Sequence, residues 1–357
     1  MRVIRTSFIL VGIVLITTSA YSQVGGAAVP FLLIAPDARA GAMGEVGTAI
    51  ADDINAVFWN PAGLGFQTQQ RQVGLNFSKW LPQFNADLYY SYGSYGQFIE
   101  DLDGTIAGTF IFMNLGEFQR TAENGQALGT FRSNEFSVGV SYGTLIGTDV
   151  AAGVQIKYIQ SNLAPAGAQQ VSAGVGISGA FDLGFLYRPT DLDILGAQLG
   201  NVLSLGANLQ NVGPKMTYLN ESDPLPTTLR MGVGLKLVED EFNDLLVSVD
   251  LAKLLVRRDS LGSDPIPQSF VSAWGVGGIE SGVGMEYVYD QAVSLRGGYF
   301  SEPAAAAAGG RQFYTLGAGV KYDLFNLYFS YILTVEDNHP LANTLRFSLV
   351  VDWGTEQ

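Results

Sequence analysis

The sequence predicts an all-β protein: a transmembrane antiparallel β-barrel of about fourteen strands, with a compact plug ahead of it. Three observations carry this. From about Arg71 to Trp353 almost every segment alternates apolar with polar or Gly residues over about ten positions, as a strand does between lipid and a polar lumen. The chain opens on an export leader. Past that leader no stretch reaches about 18 uninterrupted apolar residues, which removes helical spans. A membrane chain without such helices is left with a closed barrel, because every backbone polar group must be paired. A soluble sandwich would share the alternation. Strand length, the leader and the absence of Cys favour the barrel.

The leader is Met1 to Ser22: Arg2 and Arg5, an apolar run from Phe8 to Ile16, then small residues ending at Ala20 and Ser22. This is the form of a secretory signal peptide, with cleavage expected before Gln23. Removing Arg2 and Arg5 takes the formal net charge from −14 to −16. Nucleic acid is an unsuitable partner for so acidic a chain. With no Cys, neither disulfides nor thiolate metal sites are available.

Residues 23–70 are expected to form the plug, and 71–357 the barrel. The plug's central stretch, Pro36 to Phe66, lacks period two. It carries Arg39, Met43, the pair Asp52-Asp53 and the run Trp59-Asn60-Pro61-Ala62-Gly63. Strands are expected near 71–80, 85–95, 104–116, 133–145, 149–161, 172–187, 202–210, 227–238, 244–256, 281–289, 292–301, 311–322, 325–335 and 343–353. Bacterial barrels alternate short periplasmic turns with long external loops. The connections follow that rule, with external loops such as Gly116–Arg132, Asn211–Pro226 and Arg257–Glu280 and tight turns such as Asp323-Leu324. The 188–201 turn is long for its side, and the first external connection is short. Ala304 to Ala308 is a low-complexity loop tip.

No catalytic pattern is present. His339 stands alone in a loop, and there is no G-x-S-x-G, HExxH, Walker or Rossmann motif. No cofactor, metal or enzymatic activity is expected. Inward positions carry the bases Lys157, Arg230, Lys236, Arg296, Lys321 and Arg346, and the plug carries Asp37, Glu45, Asp52 and Asp53. Acid-to-base pairs between them would hold the plug. Alternatively, these bases face lumen water and pair with acids on neighbouring strands. In the loop from Pro214, Met216, Tyr218 and Leu219 stand out. Exposed, they suit a protein contact; folded down, they would cap the barrel mouth.

The stretch ADDINAVFWNPAGL resembles the N-terminal hatch of outer-membrane barrels related to the FadL long-chain fatty-acid channel, and in particular the PorV/PorQ family of type IX secretion. Asn211-Val212-Gly213-Pro214-Lys215 with Leu225-Pro226-Thr227-Thr228-Leu229-Arg230, and Leu341 to Phe347, extend the likeness over nearly the whole mature chain and favour the PorV branch. The 240–265 region has no counterpart in that pattern. The resemblance implies a non-enzymatic outer-membrane barrel that binds the C-terminal signal domain of secreted cargo at the translocon barrel and passes it to a surface sortase partner. Two alternatives stand: a FadL-like channel for hydrophobic small molecules, and a structural barrel without cargo. A detergent-sized apolar pocket would favour uptake. A sealed, charged lumen would favour protein binding.

Overall fold

The computed structural model describes residues 26–67, 71–84, 87–122, 124–164, 174–218, 221–259, 262–303 and 310–354. The leader, residues 23–25 and 68–70 of the expected plug, Leu219 and the run Ala304 to Ala308 lie outside the described residues.

Fourteen strands form one closed antiparallel barrel in which each strand pairs with its sequence neighbours. They are β1 (Arg71–Lys79), β2 (Tyr89–Ile99), β3 (Gly104–Thr121), β4 (Ala127–Leu145), β5 (Val150–Asn162), β6 (Val175–Tyr187), β7 (Leu203–Val212), β8 (Thr228–Glu239), β9 (Asn243–Leu254), β10 (Glu280–Tyr289), β11 (Val293–Ser301), β12 (Gln312–Tyr322), β13 (Phe325–Thr334) and β14 (Leu345–Trp353). β1 closes on β14, with Phe77 opposite Phe347. Closure leaves no free edge within the wall, which is what a lipid environment requires. No described helix is long and apolar enough to cross a membrane.

The period-two faces fall as the sequence assigns them. In β14 Arg346, Ser348 and Val350 are buried inward while Phe347 is exposed outward; in β8 Arg230, Gly232 and Gly234 face in and Met231 and Val233 face out. Three features depart from expectation. β2 starts at Tyr89, because the preceding chain turns through a 3-10 segment at Pro82–Phe84. The expected loop Gly116–Arg132 is mostly hairpin: strand pairing continues from Glu117–Arg132 out to Thr121–Ala127. The long 188–201 turn contains its own small hairpin, Asp193–Ile194 with Ala197–Gln198. At the long-loop end, Met216–Tyr218 pairs with Glu221–Asp223.

Residues 26–67 lie among the inward faces of the strands. Their elements are the 3-10 turn Pro30–Leu33, helix α1 (Ala38–Ala42), helix α2 (Ala56–Trp59) and the 3-10 turn Pro61–Phe66. Asp37 caps α1 by accepting from the Ala40 N–H, and Asn60 caps the last turn by accepting from the Ala62 N–H ahead of Pro61. At one end the Ala28 N–H donates to the Pro224 carbonyl in a long loop. At the other, Thr105, at the short-turn end of β3, donates to the Gln67 carbonyl. The segment therefore runs the length of the barrel.

Small residues on both sides permit this fit. A Cβ on Gly284 would lie 2.2 Å from the Met43 carbonyl oxygen, and one on Gly298 would lie 2.2 Å from the Gly44 nitrogen. Both obstacles are backbone, so neither can swing aside. Gly284→Ala is expected to cost about 1–3 kcal/mol by overpacking. The segment should become protease-sensitive while the wall stays inserted; unchanged protection in limited proteolysis would contradict this packing.

Candidate functional site: the filled lumen and its mouth

The lumen contact is built from charges that the two ends of the chain bring together. Arg39, on α1, forms a bidentate pair with Glu286 of β10 (Nε–Oε2 2.9 Å, Nη2–Oε1 2.8 Å) and also pairs with Asp52. Glu286 in turn receives Arg296 of β11 at 2.5 Å. Bidentate guanidinium–carboxylate pairs combine strength with a fixed geometry. Further up, Arg346 of β14 donates to Glu45 at 2.6 Å. Hydrogen bonds complete the attachment. Asp250 of β9 accepts from the Gly47 and Thr48 N–H groups at 2.9 and 2.8 Å. Asn60 donates to the Thr48 and Phe185 carbonyls, both at 2.9 Å. Ser348 accepts from the Ala38 N–H at 2.7 Å.

Aromatic and apolar groups fix the middle. Trp59 donates from its indole to Asp37 at 2.8 Å, and the Arg230 guanidinium lies over its ring at 5.2 Å. Met43 is fully buried against Val46 and Ile50. Pro61 packs on Gly153 of β5, and Gly63 against Ala51, at distances that leave no room for a side chain on either glycine.

Both sequence-derived ideas about the inward bases therefore hold in part. Among the described residues one ion pair, Arg346–Glu45, joins a wall base to an acid of the N-terminal segment. The strongest attachment has the opposite sense, a base of the segment on a wall acid. Lys157 follows the other alternative: it pairs with Asp182 of the neighbouring strand at 2.7 Å and donates to Asn211. Arg230 donates to Gln210 at 2.9 Å. Lys236 and Lys321 sit at the short-turn rim rather than deep in the lumen, with Lys236 paired to Glu239 in its own turn. Glu286 and Asp250, which also hold the segment, do not stand out in the sequence by residue type. The available signal was their register, since Glu286 shares the inward face with Gly282 and Gly284.

Asp53 is a lumen carboxyl displaced into the neutral pH range. Burial, partly offset by Arg39 and reinforced by Asp37 and Asp52, pushes its carboxyl up to about 7. An unfolded Asp titrates near 3.9, so between that pH and about 7 the folded chain binds the extra proton. Stability from this group is therefore fully present at low pH and is lost as pH rises towards about 7. Asp53→Asn is expected to flatten that slope. Denaturant titrations at pH 5 and pH 8 that show the same difference for both forms would contradict it.

At the long-loop end the exposure considered for the 214–225 loop is corrected. Met216 is fully buried and Tyr218 nearly so. With Leu225 they join one apolar cluster with Val29, Phe31, Leu32, Tyr90 and Tyr92. The reason is that residues 28–35 rise to the mouth and offer an apolar underside that the loop covers. Pro214 remains exposed. Beside this cover a cavity of about 190 Å³ lies between the loop and the 255–269 stretch, lined by Pro224, Leu225, Leu255, Val256 and Ile266 among others.

The family model described as "Type IX secretion system protein PorV" matches residues 18–260. No curated protein sequence matches the chain. Among solved structures, the toluene transporter TbuX of Ralstonia pickettii aligns with a TM-score of 0.55 at 12% identity, over 90% of this chain and 98% of that one. The TodX monoaromatic hydrocarbon channel deltaS2 mutant aligns with a TM-score of 0.53 at 14% identity, over 88% and 96%. At such identities the likeness is one of fold.

Proposed function

Because the chain belongs to the PorV family of type IX secretion system proteins, we propose that it is an outer-membrane barrel that receives exported cargo by its C-terminal signal domain at the secretion translocon barrel and hands it to the surface sortase partner. The role is one of binding and transfer, without catalysis. The observation that best supports it is the filled lumen. Residues 26–67 act as a plug tied to the wall by Arg39–Glu286 and Arg346–Glu45, leaving the working surface at the mouth. The long loops then face the cell exterior, with the exposed Pro214 beside the cover as a contact position, and the wall's apolar face meets the lipid bilayer.

A second reading, uptake of a small apolar molecule, is favoured by the apolar cavity beside the cover and by the fold shared with TbuX and TodX. At about 190 Å³ that cavity is smaller than the roughly 300–1,000 Å³ of ordinary ligand sites.

The test uses the purified full-length barrel in lipid nanodiscs with a purified C-terminal signal domain of a type IX cargo. Saturable capture, with near-zero conductance in a planar bilayer, is the expected result. Steady fatty-acid or toluene uptake without capture would replace this reading with the second.

A further inference from the structure

The hairpin of β3 and β4 outgrows the barrel. β2 stops pairing with β3 at Tyr89–Asn114, and β5 stops pairing with β4 at Asn134–Asn162. Beyond those points, among the described residues, Glu117 to Thr121 and Ala127 to Arg132 form strand pairs only with each other. At about 3.3 Å per residue the ribbon projects on the order of 15 Å past its neighbours on the long-loop side. An irregularity between Asn114 and Glu117, with Gly116 at φ 83°, bends it as it leaves the wall.

A two-stranded ribbon has two free edges and is marginally stable alone. Exposed edges are usually blunted with Pro or Lys. This ribbon has no Pro or Lys in Glu117–Thr121 or Ala127–Arg132, and of its charged side chains Glu117 and Arg132 pair with each other across the two strands at 3.6 Å. Its Phe118 and Phe131 rings stack at 5.8 Å, and Phe118 is 47% exposed. These two residues alternate in register with the outward Arg132 and Leu128, which places the stacked pair on the mouth side of the ribbon. The two edges differ. Gly129 at φ 112° interrupts the extended backbone of the β4 edge, whereas the β3 edge from Glu117 to Thr121 has no such break.

We propose that the β3 edge, Phe118 to Thr121, is a strand-addition site: an exposed β-strand of the captured protein pairs with it while that protein's apolar side chains meet Phe118 and Phe131. Unpaired backbone N–H and C=O groups select an extended strand as occupant, and the aromatic pair beside them supplies the desolvated centre that such contacts need. This rests on the cargo-receiving role proposed above and names the element that executes it.

The test is amide hydrogen exchange on the full-length barrel in nanodiscs, with and without the purified cargo signal domain. Exchange at Phe118–Thr121 is expected to slow more than about tenfold on binding. Gln119→Pro, which bars an edge pairing, should weaken capture at least about tenfold. Because Pro could disturb the ribbon itself, the pair Phe118→Ser with Phe131→Ser is measured alongside; it leaves the edge backbone intact and should also weaken capture, with heat resistance of the barrel unchanged. Capture without protection of these amides, or undiminished capture by both variants, overturns the strand-addition site and leaves the receiving role standing. Protection produced by lipid vesicles alone overturns it in favour of a membrane-lying ribbon. Absence of any capture by the unaltered barrel overturns the receiving role and this inference together.

Discussion

Replacing Lys157 with Met is expected to lower the stability of the folded barrel by about 3–5 kcal/mol, the usual effect of removing one partner from a buried ion pair. Its partner Asp182 has a fully buried side chain, held at 2.7 Å from the ammonium, and its other oxygen accepts the Asn211 N–H at 2.7 Å. Without Lys157 the fully buried carboxylate keeps one neutral donor and no counter-charge. Removing both charges is a different matter. The double variant Lys157→Met with Asp182→Leu should fall within about 1–2 kcal/mol of the natural chain, because exchange of a buried pair for apolar side chains is close to neutral. Folding titrations in lipid vesicles measure both. If the single and double variants lose equal stability, the pair is not the source, and the packing of the methylene stem is.

The second large effect lies on the other face of the wall. Leu349→Arg, at the centre of β14, is expected to cost about 2–4 kcal/mol, since its neighbours Phe347 and Val351 share an outward apolar face. The comparison is Tyr322→Arg, at the short-turn end of β12, where the cost should drop to about 0–1 kcal/mol near the interface. Equal costs at both depths would remove the bilayer from this explanation. Ser348 is not a suitable neutral control, although it faces inward. It accepts the Ala38 N–H and is nearly fully buried, so an Arg there must displace the N-terminal segment.

Part of the site is legible in the sequence. Arg39, Trp59 and Asn60 stood out because their stretch broke the period-two pattern, and all three prove to be contacts. Met216 and Tyr218 stood out as apolar residues in a loop, yet their covering position depends on Phe31 and Leu32, which approach from some 185 residues earlier in the chain. Glu286 drew no notice, because an inward acid acquires meaning only once Arg39 stands opposite, 247 residues away in sequence. The projecting ribbon passes for a loop in the sequence, since Glu117-Phe118-Gln119-Arg120-Thr121 is mostly polar and only the structure shows its cross-strand partners.

What the sequence determined by itself was the barrel class, the fourteen strands and which face of each meets lipid. Those follow from a contrast repeated at every second residue, between hydrocarbon on one side and a polar interior on the other, and a local pattern suffices to record it. Which charge meets which, how deep the N-terminal segment lies and what covers the mouth were decided only in the tertiary structure. Each of these depends on strand register accumulated around the closed wall and on the backbone-to-backbone fit of Gly284 and Gly298 against Met43 and Gly44, and no window of neighbouring residues contains that information.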